Sequence, residues 1–160
     1  LILRLQALPL HPLLMVVAKA LARAGYGDVR ITGRRTPKGK SDDGGHEILC
    51  ERDLGTVPVR IAVKVVRDAV RVRMLDELGG VVARTGCDLG LLVTPFAPGK
   101  TAAAELARTV RPGPRVEVMD GAALARLLVR YGIGVREKGS VDYPFFRELE
   151  EASLRILAFA

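Results

Sequence analysis

Apolar residues recur along the chain at two spacings, which predict helices and strands in alternation. Residues 12–24 carry apolar side chains at helical spacing, with Pro12 near the first turn and Gly25 at the end, and predict a first helix. β-Branched or alternating runs predict strands over residues 28–32, 47–51, 59–66, 89–94 and 116–119. Further helices are predicted over residues 70–84, 102–110 and 144–157, and from an N-cap at Asp120 to about Tyr131, with Thr101 capping the helix over 102–110.

The order of these elements predicts an α/β fold. Three strands follow the first helix, and strands then alternate with helices, so we expect a mixed sheet of about five strands with helices on both faces. The strand over residues 59–66 is almost entirely apolar around Lys64, which is typical of a strand buried on both faces. We expect a domain over residues 1–135 and a helical tail over residues 136–160 that packs on the same domain.

Composition excludes several classes of protein. With 160 residues, 49% of them hydrophobic, the chain can bury a full core and is not intrinsically disordered. Aromatic residues make up only 4%, which argues against a single-strand binder that stacks bases on aromatic side chains. Cys50 and Cys87 provide neither a disulfide framework nor a four-ligand zinc site, so we expect a reducing compartment, the cytoplasm. No apolar run is long enough to predict a membrane span.

The positive charge is concentrated near the start of the chain. The net charge is +7, and residues 1–40 hold eight basic side chains against one acidic one, which accounts for all of it. Half of these basic residues lie in the glycine-rich loop over residues 33–45: Arg34, Arg35, Lys38 and Lys40. Such a cluster is compatible with phosphate binding. The preference for arginine, 19 against 6 lysines, is also what a GC-rich coding bias produces.

Two neighbouring strands carry the candidate chemistry. The segment Asp42-Asp43-Gly44-Gly45-His46-Glu47 leads into the second strand, and Lys64 lies within the third, on the same face as Ala62 and Val66. Acids on one strand and a lysine on its neighbour can bind a divalent metal and activate a water against a phosphodiester. The alternative is a lysine at an edge position and acids in a solvated loop. Nucleophilic triads, phosphate-binding loops and dinucleotide motifs are absent from the sequence.

Several stretches resemble one nuclease family. They are Ala24-Gly25-Tyr26-Gly27-Asp28-Val29, the Asp42–Glu47 segment, Ile61-Ala62-Val63-Lys64, Gly90-Leu91-Leu92-Val93-Thr94 and Met119-Asp120-Gly121-Ala122-Ala123-Leu124-Ala125. In this order, over about residues 12–135, the chain resembles the Mrr-type branch of the restriction-endonuclease-like nucleases, the PD-(D/E)xK superfamily. The resemblance implies a mixed sheet flanked by helices that binds Mg²⁺ and cleaves DNA phosphodiesters.

The resemblance also implies site residues, with departures from the family pattern. Glu47 stands where the family has the metal-binding Asp, and Asp43 matches the earlier Asp. Lys64 matches the catalytic Lys, but Ala62 replaces the Gln or Glu two residues before it, and residues 12–24 contain no acid. The implied metal ligands for Mg²⁺, or Mn²⁺, are therefore Glu47, Asp43 and the carbonyl of Val63, completed by water.

Three functions are compatible with the sequence. The first is a metal-dependent endonuclease acting on double-stranded DNA, expected as a homodimer, with phosphate contacts from Arg34, Arg35, Lys38, Lys40, Arg60 and Arg67. The second is a catalytically impaired nuclease fold that acts as a DNA-binding or oligomerisation module. The third is a structural protein without a nucleic-acid role. His46 is a further candidate site residue, although a packing role suits it as well.

Overall fold

The structure, a computed structural model, describes residues 1–32, 47–108 and 113–158. Its elements in chain order are α1 (Ile2–Ala7), α2 (Leu10–Arg23), β1 (Gly27–Ile31), β2 (Ile48–Asp53), β3 (Pro58–Val65), α3 (Val72–Thr85), β4 (Leu89–Val93), α4 (Lys100–Leu106), β5 (Val116–Met119), α5 (Gly121–Arg130) and α6 (Tyr143–Ala158). The α/β class and the mixed five-stranded sheet are confirmed.

The sheet follows the order of the sequence, β1-β2-β3-β4-β5. The first three strands pair antiparallel, while β4 pairs parallel with β3 and β5 parallel with β4. Each parallel pair is joined through a helix, α3 after β3 and α4 after β4, as parallel strands require. Since β2 runs against β3, the start of β2 lies beside the end of β3.

Side chains of β3 alternate between two hydrophobic cores, as predicted. Ile61, Val63 and Val65 pack in the core that also holds buried residues of α1, α2, α5 and α6. Ala62 packs on the opposite face, in the core that contains the buried residues of α3. Helices therefore cover both faces of the sheet, and the central strand is buried between them.

The largest difference from the sequence prediction is at the amino terminus. The segment over Ile2–Ala7 forms a helix that the pattern did not predict, and α2 begins at Leu10 rather than at residue 12. Leu5 and Leu8 are completely buried, so tertiary packing stabilises a helix too short to be stable by itself. Pro12 fits the first turn of α2, where its missing N–H costs no hydrogen bond.

The two predicted helix caps have opposite outcomes. Asp120 caps α5, because its carboxylate accepts a hydrogen bond of 2.8 Å from the N–H of Ala123. The prediction for Thr101 is wrong, since α4 starts from Gly99 without a side-chain cap and Thr101 lies inside the helix. The N–H of Ala103 already bonds to the carbonyl of Gly99 at 2.8 Å, which closes the first turn two residues earlier than predicted.

Helix α6 packs against the layer formed by α1 and α2. Phe146 is completely buried, and the guanidinium of Arg4 pairs with the carboxylate of Glu150. The Nδ1 atom of His11 lies 2.9 Å from the hydroxyl of Ser153, which is also buried. In the described part of the chain, none of the helices has the length and apolar character needed to cross a membrane.

Candidate active site

Glu47 lies at the end of the sheet where β2 begins and β3 ends. Its N–H donates to the carbonyl of Val63 at 2.9 Å, and its own carbonyl accepts the N–H of Thr32 at 2.9 Å. Its carboxylate Oε2 accepts the N–H of Val65, also at 2.9 Å. The side chain thus satisfies a backbone donor at the end of β3, and this bond holds the carboxylate at the end of the sheet.

Lys64 is on the neighbouring strand and on the face covered by α3. In the antiparallel register Ile48 lies opposite Val63, which brings Glu47 beside Lys64 at the same end of the two strands. The side chain of Lys64 is only 21% exposed, and its ammonium lies 3.7 Å from Oε2 of Glu77 on α3. An ammonium so little exposed needs a partner of opposite charge, because an unpaired charge at the edge of an apolar core is costly.

Position 62 is filled by the completely buried methyl group of Ala62. It lies on the same face as Lys64, two residues earlier on β3, where the family pattern has a Gln or Glu. An alanine offers no oxygen to a metal ion or to the ammonium of Lys64. Since no residue of β3 has a side-chain oxygen, such an oxygen on that face has to come from another element.

The oxygen atoms near Glu47 are of the kind that Mg²⁺ prefers. The second oxygen of the Glu47 carboxylate and the carbonyl of Val63 are both hard ligands. The Val63 carbonyl accepts one hydrogen bond from Glu47, and a carbonyl oxygen has a second lone pair. Within the ranges that the structure describes, no group of three or more His, Cys, Asp or Glu side chains is placed to hold a metal ion. A magnesium ion bound here would need Asp43 or several waters as further ligands.

The two predicted phosphate-binding arginines on either side of Lys64 are placed differently. Arg67 is the second residue after β3, is exposed, and donates to the carbonyl of Gln6 on α1 at 3.4 Å. Arg60 lies near the other end of β3, four residues or about 13 Å from Lys64 along the strand. Its guanidinium is 3.6 Å from the carboxylate of Glu51. Arg67 is therefore three residues from Lys64 along the chain, with its guanidinium directed to α1, on the face of the sheet opposite to α3.

The remaining predicted site residues lie outside the described residues. They are Asp43 and His46 of the acidic segment and the loop cations Arg34, Arg35, Lys38 and Lys40.

Glu77 is the charged side chain near Lys64 that sequence reasoning missed. It lies in the middle of α3 and also accepts a hydrogen bond of 2.8 Å from Nε of Arg73, one turn earlier. A signal was available, because a helix that connects parallel strands packs back onto the sheet next to the strand it follows. The face on which Glu77 lies, however, depends on where α3 starts, and the sequence placed that start two residues early.

Comparison with known proteins identifies the fold and the family. A solved structure, the MspJI restriction endonuclease in complex with a 27-mer oligonucleotide, is similar with a TM-score of 0.56 and 16% identity. The similarity covers 88% of this chain and 32% of the other, so this chain spans about a third of that protein and shares its fold. No curated protein matches the chain. The Mrr_cat model, which describes a restriction endonuclease, matches residues 5–128. The chain belongs to the Mrr_cat family of restriction endonucleases.

Proposed function

We propose that this chain is a metal-dependent endonuclease domain that hydrolyses phosphodiester bonds of double-stranded DNA. The observation that carries the proposal is the placement of Glu47 and Lys64 at the same end of adjacent antiparallel strands, with Lys64 largely buried. A carboxylate and an ammonium at one end of a sheet are the groups needed to bind a cation and to neutralise a phosphate. Membership of the restriction endonuclease family supports the same activity.

Each candidate site residue has a chemical role in this proposal. The carboxylate of Glu47, the carbonyl of Val63 and the side chain of Asp43 would hold Mg²⁺ or Mn²⁺ with water as further ligands. When bound, the metal polarises the phosphodiester and lowers the pKa of the attacking water. The ammonium of Lys64 stabilises the negative charge that develops on the phosphoryl oxygens, and its partial burial strengthens that interaction. Exposed Arg67, three residues further on, contacts a neighbouring phosphate.

The experiment is a plasmid-nicking assay with Mg²⁺ and with Mn²⁺. We expect cleavage by the wild-type protein, abolition by EDTA, and a loss of about 10²-fold or more in Lys64→Ala. Lys100→Ala, which removes an exposed lysine at the start of α4, is the matched control and should cut normally. Undiminished cleavage by Lys64→Ala would contradict the proposal.

A second function is favoured by one specific observation, the buried methyl group at position 62. A family member with neither Gln nor Glu at that position can keep its fold and bind DNA without cutting it. In that case the wild-type protein binds a DNA duplex in a gel-shift assay but yields no nicked plasmid with either metal. A homodimer and a cytoplasmic location remain predictions for both functions, and sedimentation analysis at several protein concentrations tests the first of them.

A further inference from the structure

We infer that Glu77 is a positioning residue for Lys64 and supplies, from α3, the side-chain oxygen that Ala62 cannot offer to it. The inference rests on the proposed function, because it assigns a second residue to the same site. It starts from the only charged contact that the structure describes for Lys64, the 3.7 Å distance between its Nζ and Oε2 of Glu77.

Burial explains why Lys64 needs this partner. The side chain of Lys64 is 21% exposed and that of Glu77 is 44% exposed, so the pair lies at the margin of the core between β3 and α3. At such a margin a long, flexible lysine side chain loses conformational freedom and hydration, and an opposite charge at a fixed place offsets part of this cost. Without Glu77 the ammonium would turn toward solvent, as lysine side chains at a core margin do.

The carboxylate of Glu77 is itself held in place. Nε of Arg73 donates to its Oε1 at 2.8 Å, across one turn of α3, and this leaves Oε2 directed to Lys64. Helix α3 is anchored on the sheet through Leu75 and Leu78, which flank Glu77 and are both buried. Arg73, Glu77 and Lys64 therefore form a chain of alternating charges that connects an exposed helix surface with the end of β3.

The distance between Lys64 and Glu77 indicates that Glu77 positions the ammonium without forming a hydrogen bond to it. At 3.7 Å the two atoms form an ion pair, but they are too far apart for a hydrogen bond. The ammonium of Lys64 keeps its protons available for phosphoryl oxygens while its place is fixed electrostatically. Small displacements of a catalytic group are costly: about 1 Å can lower a rate 10²-fold.

The test measures kcat and KM for plasmid nicking in Glu77→Gln, Glu77→Asp and Asp76→Asn. Asp76→Asn is the matched control, because Asp76 is an exposed acid next to Glu77 on the same helix. We expect Glu77→Gln to lower kcat by at least about tenfold with KM changed less than about twofold, because a positioning residue acts on the reacting groups and not on DNA binding. Glu77→Asp should restore part of kcat, and Asp76→Asn should match the wild type.

A magnesium titration separates positioning from metal binding. For a positioning residue, the Mg²⁺ concentration that gives half-maximal rate is the same in Glu77→Gln and in the wild type. If high Mg²⁺ instead restores kcat in Glu77→Gln, Glu77 is a metal ligand and the inference is wrong. Circular dichroism of each variant verifies the fold before the rates are compared.

A readout without cleavage distinguishes failure of the inference from failure of the proposed function. Reductive methylation followed by mass spectrometry reports the accessibility of Lys64 relative to Lys100. Release of Lys64 in Glu77→Gln raises this ratio, and an unchanged ratio overturns the inference even if the protein cuts no DNA. Absence of cleavage by the wild type with both metals refutes the proposed function, whereas wild-type cleavage with an unchanged kcat in Glu77→Gln refutes only the inference.

Discussion

At the scale of single residues, Glu47 has a structural role in the sheet and, in the proposed function, a chemical role as a metal ligand, and substitution can separate the two. Glu47→Gln keeps an oxygen that can accept the N–H of Val65, whereas Glu47→Ala leaves this donor without its bond of 2.9 Å. A hydrogen bond to a charged group contributes about 1.5–3 kcal/mol, so we expect Glu47→Ala to lose about that much stability and Glu47→Gln distinctly less. Both variants should lose metal-dependent cleavage, because neither retains the carboxylate.

Urea denaturation measures the stability of both Glu47 variants, and plasmid nicking measures their activity. Glu51→Gln on β2 is the control, since the carboxylate of Glu51 pairs with Arg60 away from Lys64. Full activity in Glu47→Gln would show that Glu47 serves the sheet alone and would leave the metal to other ligands.

The two cysteines allow a second test at this scale. Burial raises the pKa of the Cys50 thiol from 9.0 to about 11, and nearby Cys87 adds to the shift. Because the thiolate is the reactive form, Cys50 should resist iodoacetamide at pH 8 while the partly exposed Cys87 is alkylated, as peptide mass spectrometry can verify. The raised pKa of Cys50 also makes the free energy of unfolding depend on pH. The thiol ionises at a lower pH in the unfolded chain than in the folded protein, so the stability that follows from the shift is complete below pH 9 and is lost as the pH rises from 9 to about 11.

At the scale of elements, the start of α5 depends on a glycine that permits close packing. A Cβ atom at position 121 would overlap the carbonyl oxygen of Pro95, in the loop that follows β4. We expect Gly121→Ala to cost about 1–3 kcal/mol, because a backbone neighbour cannot move aside as a flexible side chain does. The measurement is the midpoint of urea unfolding.

A glycine of helix α3 provides a matched control for Gly121→Ala, with an expected effect on stability of the opposite sign. At Gly79 an added Cβ would meet only Cγ2 of Val116, at an ordinary 3.9 Å. Gly79→Ala should therefore stabilise the protein by about 0.5–1 kcal/mol through lower entropy of the unfolded chain. Equal effects of the two substitutions would contradict the packing argument.

Elements and site were predictable from the sequence to different degrees. The spacing of hydrophobic residues and the capping signal were enough to predict β3, β5 and α5, because each has a strong local signal, such as the N-cap at Asp120. Helix α1 has no such signal, since its stability comes from burying Leu5 against distant elements. The candidate site divides in the same way: the placement of Glu47 and Lys64 on adjacent strands follows from the sequence motifs, but the pairing of Lys64 with Glu77 requires the packing of α3 on the sheet.

At the scale of the whole molecule, the structure shows which of the basic side chains near the start of the chain already have partners within the protein. Of the four basic residues described within the first 32, Arg4 pairs with Glu150 and Arg30 pairs with Asp28. A third, Lys19, lies 5.0 Å from the ring centroid of Phe145. These three cations have partners inside the protein, so exposed Arg23 and the cations of residues 33–45, Arg34, Arg35, Lys38 and Lys40, are the better candidates for phosphate contacts.

We therefore predict that DNA binding weakens steeply with salt and that this loop determines the slope. The fourfold variant Arg34→Ala, Arg35→Ala, Lys38→Ala and Lys40→Ala should flatten the plot of log affinity against log salt concentration. Each phosphate contact that is lost reduces the slope by about 0.9, because a contact releases about one counterion from the duplex. Fluorescence anisotropy with a labelled duplex at several salt concentrations measures it.

The control for this prediction must remove the same charge elsewhere on the surface. Arg108, Arg115, Arg136 and Arg147 are exposed and each pairs with a nearby acid. Their joint replacement by alanine lowers the net charge by the same four units and should leave the slope nearly unchanged, because these cations are already neutralised locally. If both fourfold variants flatten the slope equally, DNA is attracted by the overall charge of the molecule, and the loop has no specific role in binding it.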